Sequence, residues 1–114
     1  MFKRGNIHLA KLYANKEHEV GKTRPVLVLQ TDILNDIGHT TVIVIPLSTH
    51  LIDNAYPLRQ RIQTRENLHE TSEVLCDQIR AIDIKRLDVN VLASLTQEEL
   101  ILIEENIQII LGFT

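Results

Sequence analysis

Apolar positions change their period once along this chain. Up to about residue 95 they come as short alternating or continuous runs; from Thr96 onward they recur every three or four residues. Ile7-His8-Leu9 alternates and predicts a strand within Gly5–Tyr13, with Ile7, Leu9 and Leu12 as its apolar positions. Ala14–Thr23 is polar and charged. It reads as a long loop, and loops of that length in small domains often carry function. Arg24-Pro25 opens a second strand, because proline lacks an N–H and suits a strand's first residue or an edge. The continuous run Val26-Leu27-Val28-Leu29 predicts cover on both faces. Asp32–Gly38 reads as a turn or short irregular excursion. Thr40–Leu47, dense in Val and Ile, predicts a third strand whose regular pairing stops at Pro46. Ser48-Thr49-His50 then begins a loop.

Tyr56–Ile62 alternates in part and predicts a strand with its arginines outward. Glu66–Thr71 is polar and connecting, and Ser72–Ile82 reads as one further strand. Asp83–Arg86 turns, and Leu87–Leu95 reads as a short strand or a single helical turn. The last element carries the clearest signals. Thr96 and Glu99 have the spacing of a capping box, in which each side chain bonds the other's backbone N–H. Leu100, Ile103, Ile107 and Ile110 or Leu111 share one helical face, with Glu104, Glu105 and Gln108 opposite. Gly112 is a natural C-terminal stop. Five or more short strands followed by one amphipathic helix predict a mainly β fold: a curled sheet or small barrel with the helix packed on it. A chain of 114 residues suits one domain spanning 1–114.

Composition narrows the class. With 44% apolar and 24% charged residues the chain is globular rather than disordered. Its longest apolar runs, Val26–Leu29 and Val42–Leu47, are too short to span a bilayer, and Met1-Phe2-Lys3-Arg4-Gly5 has no secretion-type apolar stretch. The single cysteine, Cys76, cannot form an internal disulfide. These features place the protein in the cytoplasm, with no membrane partner expected. The net charge of −3 opposes the strongly basic character of many nucleic-acid binders. The charge is uneven, however. Arg59, Arg61 and Arg65 lie in a segment without an acid, while Glu98, Glu99, Glu104 and Glu105 lie in a stretch without a base. Folding either separates a basic from an acidic face or leaves both as ordinary solvated surface.

Several chemistries lack their residues. None of His8, His18, His39, His50 and His69 stands at ligand spacing with another donor on a predicted helix, and no cysteine pair exists for zinc. No phosphate loop or dinucleotide fingerprint occurs among the four glycines, so neither metal nor cofactor is expected. Cys76 lies in an apolar run, where a free cysteine is usually a small buried hydrophobe. What remains is a set of polar residues at strand ends: Arg24, Ser48, Thr49, Asp77, Gln78 and Arg80. Brought together, they would place a cation, hydroxyls and a carboxylate around one cleft. That set suits cleavage of an RNA phosphodiester by its own 2′-OH. The reaction needs a base for the 2′ proton, a cation for the phosphoryl oxygens and an acid for the departing 5′ oxygen. Arginine fills the second role because it stays protonated and grips two oxygens. Each residue also has an ordinary reading: Arg24 starts a strand, Ser48-Thr49 turns, and Asp77 pairs with Arg80.

Five blocks resemble the MazF/PemK (Kid) toxins in order and spacing over nearly the whole chain. They are Lys3-Arg4-Gly5-Asn6-Ile7, Gly21-x-x-Arg24-Pro25-Val26-Leu27-Val28-Leu29, Val44-Ile45-Pro46-Leu47-Ser48-Thr49, Tyr56-Pro57 and Asp77-Gln78-Ile79-Arg80-Ala81-Ile82-Asp83. The resemblance implies an SH3-like, partly open β-barrel with a C-terminal helix, acting as a homodimer. It implies sequence-specific, metal-independent cleavage of single-stranded mRNA, leaving a 2′,3′-cyclic phosphate and a 5′-hydroxyl. It also implies neutralisation by a MazE-type antitoxin whose tail lies in the RNA groove. Arg24 matches the family's catalytic arginine. Ser48 stands where many members have a catalytic threonine, with Thr49 a competitor for the role. Asp77 matches the acid that is catalytic in the Kid branch, whose arginine two residues earlier is here Leu75. Gln78 and Arg80 match groove-lining positions. Lys16, His18, Lys22 and Thr23 in the first long loop, and Arg59, are further candidates for RNA contact, beside the reading of that loop as plain solvated surface. Asn6 stands where the family often has Asp. His50 lies outside the shared pattern; an imidazole there suits a general base, beside the reading of a surface loop histidine.

Two other functions remain open on this fold. Gyrase poisons of the CcdB type end in a Trp-Gly-Ile-like motif, whereas this chain ends Gly112-Phe113-Thr114 and has no tryptophan. An RNA-binding module without catalysis is compatible with Ser48 and Leu75.

Overall fold

Strands β1 (Asn6–Lys11) and β2 (Thr23–Val28) pair antiparallel, Ile7 opposite Leu27 and Lys11 opposite Thr23, in the computed structural model, which describes residues 2–12 and 23–113. Lys16, His18 and Lys22 lie outside the described residues. Both faces of this pair are covered, as the continuous apolar run of β2 requires. Ile7 and Leu27 join one buried cluster, while Ala10, Val26 and Val28 join a second on the opposite side. His8 is therefore buried, although its alternation with Ile7 and Leu9 reads as solvent-facing. Its Nδ1 bonds the Asp88 carbonyl at 2.8 Å, and the ring meets Phe2 edge-on.

β3 (Thr41–Ser48) lies beside β2, with Val26 opposite Pro46. It runs through Pro46 rather than ending there. On its other side it pairs with two elements in succession: β6 (Arg80–Asp83) along Thr41–Val44, and β5 (Ser72–Leu75) at Leu47–Ser48. Pro46 falls in the gap between these partners. β4 (Arg59–Ile62) extends β5 outward, and β7 (Ala93–Ser94) extends β1. The sheet order is β4-β5-β3-β2-β1-β7, with β6 on β3, and a bridge from Ala10 to Leu87 curls the sheet. The result is the partly open barrel implied by the resemblance: a curled, mostly antiparallel half-barrel with one C-terminal helix.

The expected single strand Ser72–Ile82 is in fact two. Leu75 to Ile79 span the stretch that only Ile45 and Pro46 span on β3, so the chain bulges out of the ladder there. A turn at Cys76-Asp77, with the Gln78 N–H donating to the Leu75 carbonyl at 2.9 Å, makes the bulge. Such bulges re-aim side chains beside sites. Asp32–Asp36, expected to be irregular, is a short helix, α1, whose first turn is capped by the Thr31 hydroxyl.

The final helix, α2 (Gln97–Leu111), starts on the predicted capping box and stops at Gly112, whose φ of 76° is left-handed. Leu100, Ile103 and Ile107 are buried against the first cluster, and Ile110 packs at its edge, whereas Leu111 is exposed. No described helix is long and apolar enough to cross a membrane. The arginines of 59–65 form neither a separate basic face nor plain solvated surface. Arg65 pairs with Glu99, Arg4 with Glu104, and Arg59 and Arg61 both pair with Glu73.

Candidate active site

The junction where β3 changes partners opens onto a cavity of about 280 Å³. Arg24 reaches it from β2, Ser48 from the end of β3 and Arg59 from the start of β4; Gln78 and Arg80 come from the bulge and β6. Leu12, Pro46 and Leu75 supply its apolar wall. Five of the predicted site residues thus converge, from segments that only the curled sheet brings together. Among the described residues no carboxylate lines the cavity. Its electrostatics favour an anion, since three guanidiniums border one small space.

Each side chain is held differently. Arg24 is half-buried and makes no side-chain hydrogen bond or ion pair among the described residues. A guanidinium with five free donors at a cavity wall is suited to a phosphate. The Ser48 hydroxyl accepts from the His50 N–H at 3.1 Å, which leaves its own hydrogen free to donate into the cavity. Arg80 donates to the Leu12 carbonyl at 2.9 Å. Arg59 donates to the His50 carbonyl at 2.8 Å and to Glu73 at 3.0 Å.

Glu73 is the residue that sequence reasoning missed. It sits opposite Ser48 on one side and Arg61 on the other. Only 3% exposed, its carboxylate accepts from the Ile52 N–H, from Arg59 and from both Nε and Nη2 of Arg61. Burial alone would raise its pKa. The Ile52 N–H bond and the two arginines outweigh burial and hold it below the ordinary glutamate value. One buried charge thereby ties the loop after Ser48 to β4 and aims Arg59 at the cavity. The available signal was a lone glutamate beside Val74-Leu75-Cys76 and two arginines at an i, i+2 spacing, which puts both on one strand face.

The other predicted residues lie outside the lining. Asp77 is exposed on the bulge next to Gln78. Thr49 and His50 are exposed on the loop after β3, and it is His50's backbone that engages Ser48 and Arg59. Thr23 belongs to a different cavity. Cys76 is buried, its thiol pushed up by burial, with the Asn106 amide 3.8 Å from the sulfur, and it carries no nucleophile to the cavity. Among the described residues no three His, Cys, Asp or Glu side chains gather as a metal site would require.

Fold and site together define a class: a curled antiparallel half-barrel with one terminal helix and an arginine-rich cleft at its sheet junction. Residues 3–111 match the family described as PemK-like, MazF-like toxin of type II toxin-antitoxin system. An Endoribonuclease MazF from Staphylococcus epidermidis is 32% identical over 113 residues, covering 98% of this chain and 92% of that protein. The chain belongs to the PemK/MazF toxin family. Solved structures share its fold. The MazF of a Deinococcus radiodurans MazE-MazF crystal (Form-II) aligns with a TM-score of 0.79 at 21% identity, covering 98% of this chain and 96% of the other. Mycobacterium tuberculosis toxin MazF-mt6 aligns with a TM-score of 0.75 at 23% identity, covering 94% and 96%.

Proposed function

We propose that this toxin is a metal-independent endoribonuclease that cuts single-stranded mRNA and so arrests translation. The observation that carries the reading is Arg24. It is a half-buried guanidinium without a protein partner among the described residues, in one cavity with the Ser48 hydroxyl and no carboxylate. In the proposed reaction the 2′-oxygen attacks phosphorus and the bond to the 5′-oxygen breaks. The products are a 2′,3′-cyclic phosphate and a 5′-hydroxyl. Arg24 grips the non-bridging oxygens as their charge grows, and Ser48 donates its hydrogen to the same group. The 2′ proton leaves to a base and an acid returns one to the 5′-oxygen. Asp77 and His50 are the titratable groups on the two segments that flank the cavity, and they are assigned these proton transfers.

The partners follow from the family. A MazE-type antitoxin is the proposed neutraliser, and a second copy of the chain the proposed dimer partner. The apolar residues that α2 leaves exposed, Ile101, Leu102, Ile109 and Leu111, support the latter. Gln78, Arg80 and Arg59 are the proposed RNA contacts within the cavity. Lys16 and Lys22, outside the described residues, and Thr23, at the start of β2, are proposed as further RNA contacts. The reading is tested by incubating the protein with a long single-stranded RNA in excess chelator and mapping the ends. Discrete cuts bearing cyclic phosphate and 5′-hydroxyl are expected. Cuts that need a divalent ion, or 3′-hydroxyl ends, would refute it.

A further inference from the structure

The net charge of −3 is distributed in the fold in a way that singles out one region. Lys3, Arg4, Arg59, Arg61 and Arg65 are each engaged by a carboxylate. Among the described residues Lys11, Arg24, Lys85 and Arg86 form no ion pair. Arg24 belongs to the candidate active site. The other three meet in a second cavity of about 200 Å³, with Asp88 the only acid among the described residues of its lining.

Local structure places them there. Lys11 stands opposite Thr23 at the end of the β1–β2 ladder. A single 3-10 turn, Ile84–Arg86, is brought beside it by the Ala10–Leu87 bridge and by the Asp88 N–H donating to the Leu9 carbonyl at 2.8 Å. Asp83 accepts from the Lys85 N–H at 2.8 Å and fixes the start of that turn. The Leu12 carbonyl joins the two cavities. It accepts from Arg80, in the wall of the first, at 2.9 Å and from Arg86, in the wall of the second, at 3.4 Å.

We propose that the second cavity holds a backbone phosphate of the same RNA strand that is cut at Arg24, with Lys11, Lys85 and Arg86 as its cations. The proposal rests on the ribonuclease reading. Lysine ammoniums that already serve no carboxylate can engage a phosphate without breaking an existing pair. Because Arg80 and Arg86 share the Leu12 carbonyl, the walls of the two cavities adjoin, within reach of neighbouring phosphates of one strand. The site recognises no base. It would add affinity and direction along the strand.

The test is the salt dependence of binding to a 2′-O-methyl RNA, which cannot be cut by 2′-oxygen attack. Each phosphate contact on a single strand contributes about 0.7 to the slope of log K against log salt. Replacing both lysines, as Lys11→Gln with Lys85→Gln, is expected to lower the slope by about 0.7, the contribution of one phosphate, a loss of about 5-fold at 0.1 M salt for curves converging at 1 M. Arginine at both positions is expected to keep the slope. Lys3→Gln, which removes a cation already paired with Asp36, is expected to leave it unchanged. Cleavage by the double variant should show a raised KM with kcat preserved. An unchanged slope would overturn the site. So would an equal loss in Lys3→Gln, or a loss confined to binding of poly-glutamate. Failure of the unaltered protein to bind RNA at all would refute the nuclease reading itself, and the site with it.

Discussion

Replacing Glu73 tests how the site is held. The carboxylate is buried, with 4% of its side chain exposed, and accepts four hydrogen bonds from Ile52, Arg59 and Arg61. Removing one partner of a buried ion pair costs about 3–5 kcal/mol, because the remaining charge stays desolvated and unpaired. Arg61 keeps Asp53 and is one-third exposed, which places Glu73→Ala at the low end, about 3 kcal/mol. For a chain of this size that corresponds to a fall of about 12 °C in Tm. Glu73→Gln keeps the shape but loses the charge and should fall between wild type and Glu73→Ala. The pH dependence has a definite sign. Glu73 titrates below the ordinary glutamate value, so its contribution is fully present above that value and is lost as pH falls through the lower folded one. The gap in Tm between wild type and Glu73→Gln should therefore be constant from pH 6 to 8 and close below about pH 4. Cleavage should fall as well, because Arg59 and the loop after Ser48 lose their anchor. A shift in Tm below about 3 °C with an unchanged cleavage rate would refute the reasoning.

Three further outcomes follow from burial. His8 is held neutral, its pKa lowered by burial, so its contribution is full above the unfolded histidine value of about 6.5 and is lost as pH falls through the lower folded one. The stability lost between pH 7 and 5 should shrink in His8→Leu; an identical pH profile would contradict this. Ile103, fully buried where α2 meets the sheet, should cost about 2–5 kcal/mol on truncation to alanine, read by urea unfolding. Cys76 should react with thiol reagents only after unfolding, and prompt labelling of the native protein would show its burial to be wrong.

Local signals in the chain were read correctly where they act locally. The capping box, the Leu100–Ile107 stripe and Gly112 define α2 because a helix end is built from neighbours in sequence. The strands were visible as runs of Val and Ile, and Arg24, Ser48, Arg59, Gln78 and Arg80 as polar residues at or near their ends. The misreadings concern partners distant in sequence. Ser72–Ile82 contains no glycine or proline, so nothing local marks the bulge that separates β5 from β6 and puts Gln78 into the cavity. The burial of His8 has no local mark either, because it comes from the curl of the sheet covering the second face of β1. The arginines of 59–65 look like a basic patch because Glu73 and Glu99, which neutralise them, arrive from other elements. The same pairing explains how an acidic chain can still present cations: those left without acids gather at the root of the β1–β2 ladder.

If RNA is cut in the cavity at Arg24, as proposed, Arg24→Ala removes the group that grips the phosphate there. Single-turnover cleavage of a defined RNA in excess chelator would be compared with wild type, alongside circular dichroism and binding to uncleavable RNA. A loss of about 10²–10³ in rate is expected, the scale of removing one group that stabilises the transition-state anion, with the fold intact and binding largely kept. Cleavage at an undiminished rate by a folded Arg24→Ala protein would contradict it.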